Sequence, residues 1–452
     1  MASSKADFLE AFARYARSPQ GARGAANFER AVRESDMRYA GEPLDVTFWP
    51  FALEAADLAA LRETVEAAAR LLERATRAFL EDPEMQAEYG WPPERLALVR
   101  HDPGYPLALP CARFDSYWDG REPRFFESNT DGTSGMTNVE RVTEIFLRSP
   151  GFEPLKKEFG VRAPALCARV LEALLSCWGH FREGRPELPA EPRIAILDWR
   201  EVRTRAEFGA LRRYFEERGL RATVADPRDL RYDGRRLADA EGPIDLIYRR
   251  LVSTEWFARR AEVAAVEAAF LDRAVCLVGS FRSDIAFDKR LFALLHDPRF
   301  ARHFGEDERA LAARHFARTW VLRPGAIAEI DGRRCDLARW ALEARGSLVL
   351  KPCALYEGRG VLLGAETPEE RWRAAIEDCA DGLHVLQERV AAPRVMELES
   401  AGVLGPGRPA YLSLGEFVFG GRLAGFIARV SSALVLSAED DERLLPVVIV
   451  GA

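Results

Sequence analysis

Arg113-Phe-Asp115 and Glu127-Ser-Asn129 flank the run Tyr117-Trp-Asp-Gly-Arg-Glu-Pro-Arg124. Asp119-Gly120 is turn chemistry set between aromatic, strand-favouring residues, so the stretch reads as a β-hairpin. Folding it about residue 121 sets Asp115 opposite Glu127 and Arg113 opposite Asn129. Residues two apart on a strand share a face, so all four side chains project to one side. Two carboxylates opposed across a strand pair repel. A divalent cation would turn that conflict into a site, because Mg²⁺ takes oxygen ligands, commonly one or two carboxylates with water and nucleotide phosphates.

The same acids on a solvent-facing hairpin would simply be hydrated. Two neighbouring features argue for a site instead. Asn129 is one of only three asparagines in the chain, and Thr130-Asp-Gly-Thr-Ser-Gly135 is a polar loop rich in small side chains. That loop opens into a helical run over 137–146, whose N-terminus can hold an anion. Acids, loop and helix start are expected to converge on one place.

A length of 452 residues allows two or three domains with a sizeable core. The net charge of −7 gives no electrostatic reason to expect nucleic acid or an anionic membrane as partner. No uncharged apolar run approaches the ~20 residues of a membrane span. Residues 1–20 carry charges throughout and lack the apolar core of a signal peptide. Seven cysteines without a C-x-x-C pair read as free thiols of a reducing compartment. The six histidines show no ligand spacing, which argues against zinc. The expectation is a soluble, cytoplasmic protein.

Positive charge is unevenly shared: of 64 basic residues only Lys5, Lys156, Lys157, Lys289 and Lys351 are lysines. Where arginine serves almost everywhere, a retained lysine marks a place that wants a compact ammonium rather than a planar fork. Lys5 lies in the N-terminal tail and Lys156-Lys157 in a surface segment. Lys289 and Lys351 lie beside apolar residues, and Lys351 ends the strand-like run Ser347-Leu-Val-Leu-Lys351. The alternative for each is a strand-end or helix lysine snorkelling to solvent.

Residues 1–98 read as helical, with apolar residues at helical spacing over 53–80 and a break at Trp91-Pro-Pro. No chemistry is legible there. After the hairpin a helix is expected over 163–181. At Pro192 the pattern changes to strands at 193–198, 221–225, 244–249 and 275–279, separated by helices over 204–218 and up to about 271, with a small hairpin over 231–237. Such alternation means an open α/β sheet. The loop 280–284 after its last strand is where such sheets place ligands. From about 286 a further unit begins: a helix over 287–295 carrying Lys289, the strand ending at Lys351, and Glu357-Gly-Arg-Gly360. The strand Leu383-His-Val-Leu-Gln-Glu-Arg-Val390 follows, then a long hairpin of 411–419 and 422–430 joined by Gly420-Gly421 and bearing Arg429. A glycine turn between strands suits a lid whose amides lie over phosphates, and equally an ordinary hairpin turn.

With these pieces the chain resembles the circularly permuted ATP-grasp proteins, the group that includes the synthetase domain of glutathionylspermidine synthase. The likeness rests on Arg113-x-Asp115, Glu127-x-Asn129, Ile244-Asp-Leu-Ile-Tyr-Arg-Arg250, Asp288-Lys289, Val349-Leu-Lys-Pro352 with its glycine loop, and Leu386-Gln-Glu-Arg-Val390. It covers roughly 100–452. The resemblance implies a mixed α/β, ATP-grasp fold with a helical region over 1–98. It implies a metal-binding hairpin part with helices over 99–191, a pre-ATP-grasp α/β domain over 192–285, and a nucleotide-binding part over 286–452. It implies Asp115, Glu127 and Asn129 as Mg²⁺ ligands and Arg113 as the residue steadying the reacting phosphoryl oxygens. Lys289, Lys351, Gly358, Arg359 and Gly360 would hold ATP phosphates, Gln387 and Glu388 would lie beside the adenine, and Arg429 would point at the γ-phosphate. Two departures stand out: the amidase domain of the bifunctional enzymes is absent, and the loop Leu355-Tyr-Glu-Gly-Arg-Gly360 is similar to the family's without matching it fully.

The chemistry so implied is ATP-dependent ligation of a small-molecule or peptide carboxylate to an amine through an acyl phosphate, releasing ADP and phosphate. Phosphoryl transfer needs charge neutralisation and in-line positioning more than a protein nucleophile, and these residue types supply that. The alternatives are an ATP-grasp kinase that phosphorylates a small molecule, and a degenerate ATP-binding scaffold. A scaffold has no need to retain repelling acids.

Overall fold

The computed structural model describes residues 4–330, 332–379, 381–397, 408–434 and 442–451. The hairpin forms from strands Cys111–Trp118 and Pro123–Asn129, antiparallel, with Arg113 opposite Asn129 and Asp115 opposite Glu127. Asp119 closes the turn by accepting the amides of Arg121 (2.8 Å) and Glu122 (2.9 Å), and Gly120 takes φ +92°. The register slips by one after Asp115, so Ser116 faces Phe125 and Phe126 is an extra residue. Such a bulge takes a backbone group out of the ladder and re-aims the neighbouring side chains.

The hairpin is one edge of a six-stranded antiparallel sheet. Strand Cys111–Trp118 pairs with Arg408–Phe419, which pairs with Arg422–Ser431, and Arg443–Leu445 follows; Arg394–Glu397 lies against Arg408–Phe419. Segments some 300 residues apart in the chain thus share one sheet. Its lower face carries Phe114 and Phe125, which pack with Val65, Leu72 and Phe79 of the long helix Ala55–Glu81. Apolar residues alternate with Arg113, Asp115 and Asn129 along the strands, so burying one face presents the charged set on the other.

A second sheet is wholly parallel, in the order Cys276–Val278, Leu246–Arg249, Ile194–Leu197, Ala222–Ala225. Chain order therefore reverses between the Ile194–Leu197 and Leu246–Arg249 strands. A third, antiparallel sheet runs Thr319–Leu322, His384–Glu388, Leu348–Pro352, Leu362–Leu363. Its apolar face, Leu322, Leu350 and Leu386, is covered by Trp372 and Ala341 of two helices.

Several expectations are corrected. Residues 1–98 are not all helical: Arg38–Tyr39 and Glu42–Pro43 form a small hairpin, and Phe51–Glu54 pairs in parallel with Val447–Val450 at the other end of the chain. The helix over 287–295 is two helices, Ser283–Phe287 and Arg290–His296, because Asp288 turns to extended backbone and caps Arg290 N (3.0 Å). The helix expected from 163 starts at Leu166. The seven cysteines are free, and no helix among the described residues is long and apolar enough to cross a membrane.

Candidate active site

The three sheets enclose a cavity of about 650 Å³. Arg113, Asp115, Glu127, Asn129, Lys289, Lys351, Gly358, Arg359, Gln387, Glu388 and Arg429 all line it. Gly360 does not: it packs against Pro352, whose Cγ would lie 2.8 Å from an added Cβ.

The hairpin supplies the acidic wall, but the two carboxylates do not face each other bare. Asp115 is buried and forked by Arg113 (2.7 and 3.0 Å), with Arg429 at 3.1 Å and the Asn129 amide at 3.2 Å. Burial pushes its carboxyl upward, yet the two guanidiniums outweigh that and hold it below the ordinary range. Glu127 pairs with Lys289 at 3.0 Å. The repulsion read from the sequence is therefore answered by the protein's own cations. Gly415, opposite Asp115 on the next strand, leaves the room for this: a Cβ there would lie 2.8 Å from Arg113 Cδ and 2.9 Å from Asp115 Oδ1. Among the described residues no three His, Cys, Asp or Glu side chains cluster as metal ligands; the hairpin offers two carboxylates and one amide.

Lys351 comes from the third sheet. Its ammonium donates to Gln387 Oε1 (2.7 Å) and to the Phe126 carbonyl (3.2 Å) that the bulge leaves out of the ladder. Burial lowers its pKa to about 8, with Glu127 opposing and Lys289 adding to the drop. Lys289 also donates to the Leu355 carbonyl at 2.7 Å, which fixes the start of the glycine loop. Gln387 is buried and braced by Thr319 Oγ1 at 3.1 Å, whereas Glu388 is exposed and meets Arg124 at 3.4 Å. Arg429 is buried, and Asp115 outweighs that burial to keep it firmly charged.

The helix Met136–Leu147 does not present a free N-terminus. Glu207 Oε1 accepts the amides of Gly135 (2.9 Å) and Thr137 (3.2 Å), and its other oxygen pairs with buried Arg250 at 2.9 Å. An internal carboxylate thus fills the place proposed for an anion, which corrects that reading. Arg249, the other arginine of the Ile244–Arg250 motif, is buried against Asp131, joining the loop after the hairpin to the parallel sheet.

The loop 280–284 is also corrected. It is packed inside, with Asp284 paired to Arg95 at 2.6 Å, and it does not line the cavity. The walls come instead from 198–204 and from Arg250, Val252 and Glu255, beyond the two strands between which chain order reverses. Open α/β sheets bind ligands at that switch point, and strand order rather than sequence position defines it. Asp198 sits there, only 5 % exposed, and among the described residues its carboxylate accepts one hydrogen bond, from the amide of Trp199 at 2.8 Å. Burial raises its pKa to about 7, and the negative charge of Glu255 adds to the rise.

Sequence reading missed Asp198, Arg203, Glu255 and the N-terminal wall, Arg38 to Asp45. Asp198 carries a usable signal, being the first polar residue after a buried strand. Tyr39 carries none.

No family model and no curated protein matches this sequence. Among solved structures, the chain is similar to a glutathione synthetase-like effector from Globodera pallida in its apo form. The two share 12% identity, with a TM-score of 0.60 over 95% of this chain and 97% of the other. A putative gamma-glutamylcysteine synthetase from Methylobacillus flagellatus aligns at 13% identity and TM-score 0.40, over 83% of this chain and 85% of that one. The first likeness establishes a shared mixed α/β fold along nearly the whole chain.

Proposed function

We propose that this chain is an ATP-dependent carboxylate–amine ligase of the circularly permuted ATP-grasp type, similar to the synthetase domain of glutathionylspermidine synthase. In this reading it phosphorylates a carboxylate to an acyl phosphate, which an amine attacks to give an amide, ADP and phosphate. One observation carries it: Asp115, Glu127 and Asn129 of the hairpin meet Lys289 and Lys351, more than 150 residues away in sequence, in one cavity. Four cations, Arg113, Lys289, Lys351 and Arg429, stand among three carboxylates there, Asp115, Glu127 and Glu442, the last 3.9 Å from Arg429. That positive excess suits a polyanion such as a triphosphate.

The donor set fits Mg²⁺, being two carboxylates and an amide, all hard oxygen donors. Asp115, Glu127 and Asn129 would hold the metal, which when bound supplies charge neutralisation at the transferring phosphoryl group. Arg113 would steady the reacting phosphoryl oxygens and Arg429 the γ-phosphate. Lys289, Lys351 and the Gly358–Gly360 loop would hold the phosphate chain, and Gln387 and Glu388 would lie beside the adenine. The 198–204 and 250–255 side would take the carboxylate and amine substrates, which are small molecules or peptides of the cytoplasm.

The test is to incubate the protein with ATP, Mg²⁺ and pooled amino acids, peptides and polyamines, and to assay phosphate release and products. Phosphate together with a new amide is expected. A phosphorylated product without an amide would move the reading to a kinase, and absence of ATP binding would sink it.

A further inference from the structure

The glycine loop following Lys351 is tied across the cavity. Tyr356 donates its phenol to Glu255 at 2.8 Å, on the parallel-sheet side. Glu357, next in sequence, accepts from Arg203 at 3.2 Å and from the Tyr39 phenol. Its backbone takes φ +59°, uncommon for a residue with a side chain. Tyr39 and Arg203 belong to different segments and are joined independently of the loop: Ala40 N donates to the Arg203 carbonyl at 3.0 Å, and the guanidinium lies 5.3 Å from the Tyr39 ring centre. A phenol and a guanidinium held side by side, both aimed at one carboxylate, form a carboxylate-recognition pair. Among the described residues Glu357 is the only acid paired with Arg203.

This pair lines the same cavity as Lys351 and the hairpin acids. Glu357 would not be stranded if it left, because Arg359 on the same loop already pairs with it at 2.8 Å. We propose that Tyr39 and Arg203 form a subsite for a substrate carboxylate that does not react, and that Glu357 fills this subsite in the ligand-free chain and so latches the glycine loop. The incoming carboxylate displaces Glu357 and frees the loop to reposition over the nucleotide. The substrate class is a molecule with at least two carboxylates, one at the phosphoryl-transfer end and one here. The subsite stands on geometry, while its assignment to the substrate rests on the ligase reading.

Hydrogen exchange of the amides at 354–361, with glutarate as probe and neutral glutaramide as control, tests this without ATP. Millimolar glutarate is expected to speed exchange of the loop in the parent, and glutaramide is not. Glu357→Gln should exchange fast with no probe added and bind glutarate roughly fivefold more tightly, since an internal competitor has been removed. Tyr39→Phe and Arg203→Met should weaken glutarate binding. Equal loop exchange in parent and Glu357→Gln, or undiminished glutarate affinity in Arg203→Met, overturns the proposal. Loss of ATP turnover with this competition intact would overturn only the ligase reading.

Discussion

Lys289 Nζ stands 3.0 Å from a carboxylate oxygen of Glu127, whose cross-strand neighbour Asp115 is held by Arg113 and Arg429. The acids that repel on paper are each neutralised from a different direction. This end of the cavity is an ion-pair network, and a ligand that engages these groups does so by exchanging partners within it.

Glu127→Gln should therefore destabilise the ligand-free protein, where a bare pair of acids would have made the change neutral or favourable. Lys289 is almost fully buried and would lose its counter-charge, so a loss of about 1–3 kcal/mol is expected. Thermal melts without Mg²⁺ and ATP check the sign. With both present the stabilising shift of the parent should shrink in the variant, and turnover should fall about 10²-fold or more.

Lys351 titrates near pH 8 because burial disfavours its charge. Its folded pKa is depressed, so the folded protein binds fewer protons than the unfolded chain between about 8 and 10.5, and stability contributed by this group rises with pH across that window. Bound phosphates would restore the charge, so ATP affinity should fall as pH climbs through 8, with proton uptake visible by calorimetry in two buffers. Lys351→Arg should bind ATP more weakly and without this pH dependence, because the wider fork cannot replace the ammonium between Gln387 and Phe126.

Asp198 carries the opposite sign. Its carboxyl is raised from 3.8 to about 7, so the folded state holds a proton that the unfolded chain releases, and stability is lost as pH rises through that interval. Asp198→Asn removes the penalty. Relative to the parent, the variant should gain stability between pH 4 and pH 8, by up to about 4 kcal/mol at roughly 1.4 kcal/mol per pH unit. Urea denaturation at the two pH values measures it, and an unchanged difference would mean that Asp198 is hydrated.

Gly415→Ala should disturb the site through space alone. A methyl group there meets Ile427 Cγ2 at 2.6 Å as well as Arg113 and Asp115, so the Arg113–Asp115 fork must open. The expected cost is about 1–3 kcal/mol. ATP affinity should drop with it, whereas Gly421→Ala, at a half-buried turn with nothing near its added methyl, should leave affinity unchanged while costing some stability, because φ is +75° there.

The sequence by itself determined the hairpin and its register up to Asp115, because strand alternation and an Asp-Gly turn act over a few residues. It also determined the α/β alternation and singled out Lys289 and Lys351, since each lies in a short stretch whose pattern is local. What only the tertiary structure decided is how distant charges pair. Arg429 closing on Asp115, Lys289 on Glu127, and Glu207 filling the helix start that seemed open to an anion are contacts across 70 to 314 residues. The switch point followed from strand order, and Tyr39 entered the cavity because the turn after its two-residue strand docks on Arg203 through the Ala40 amide. Local propensity reaches only a turn or a strand along the chain. Which buried charge meets which depends on how the sheets pack, and no local pattern encodes that.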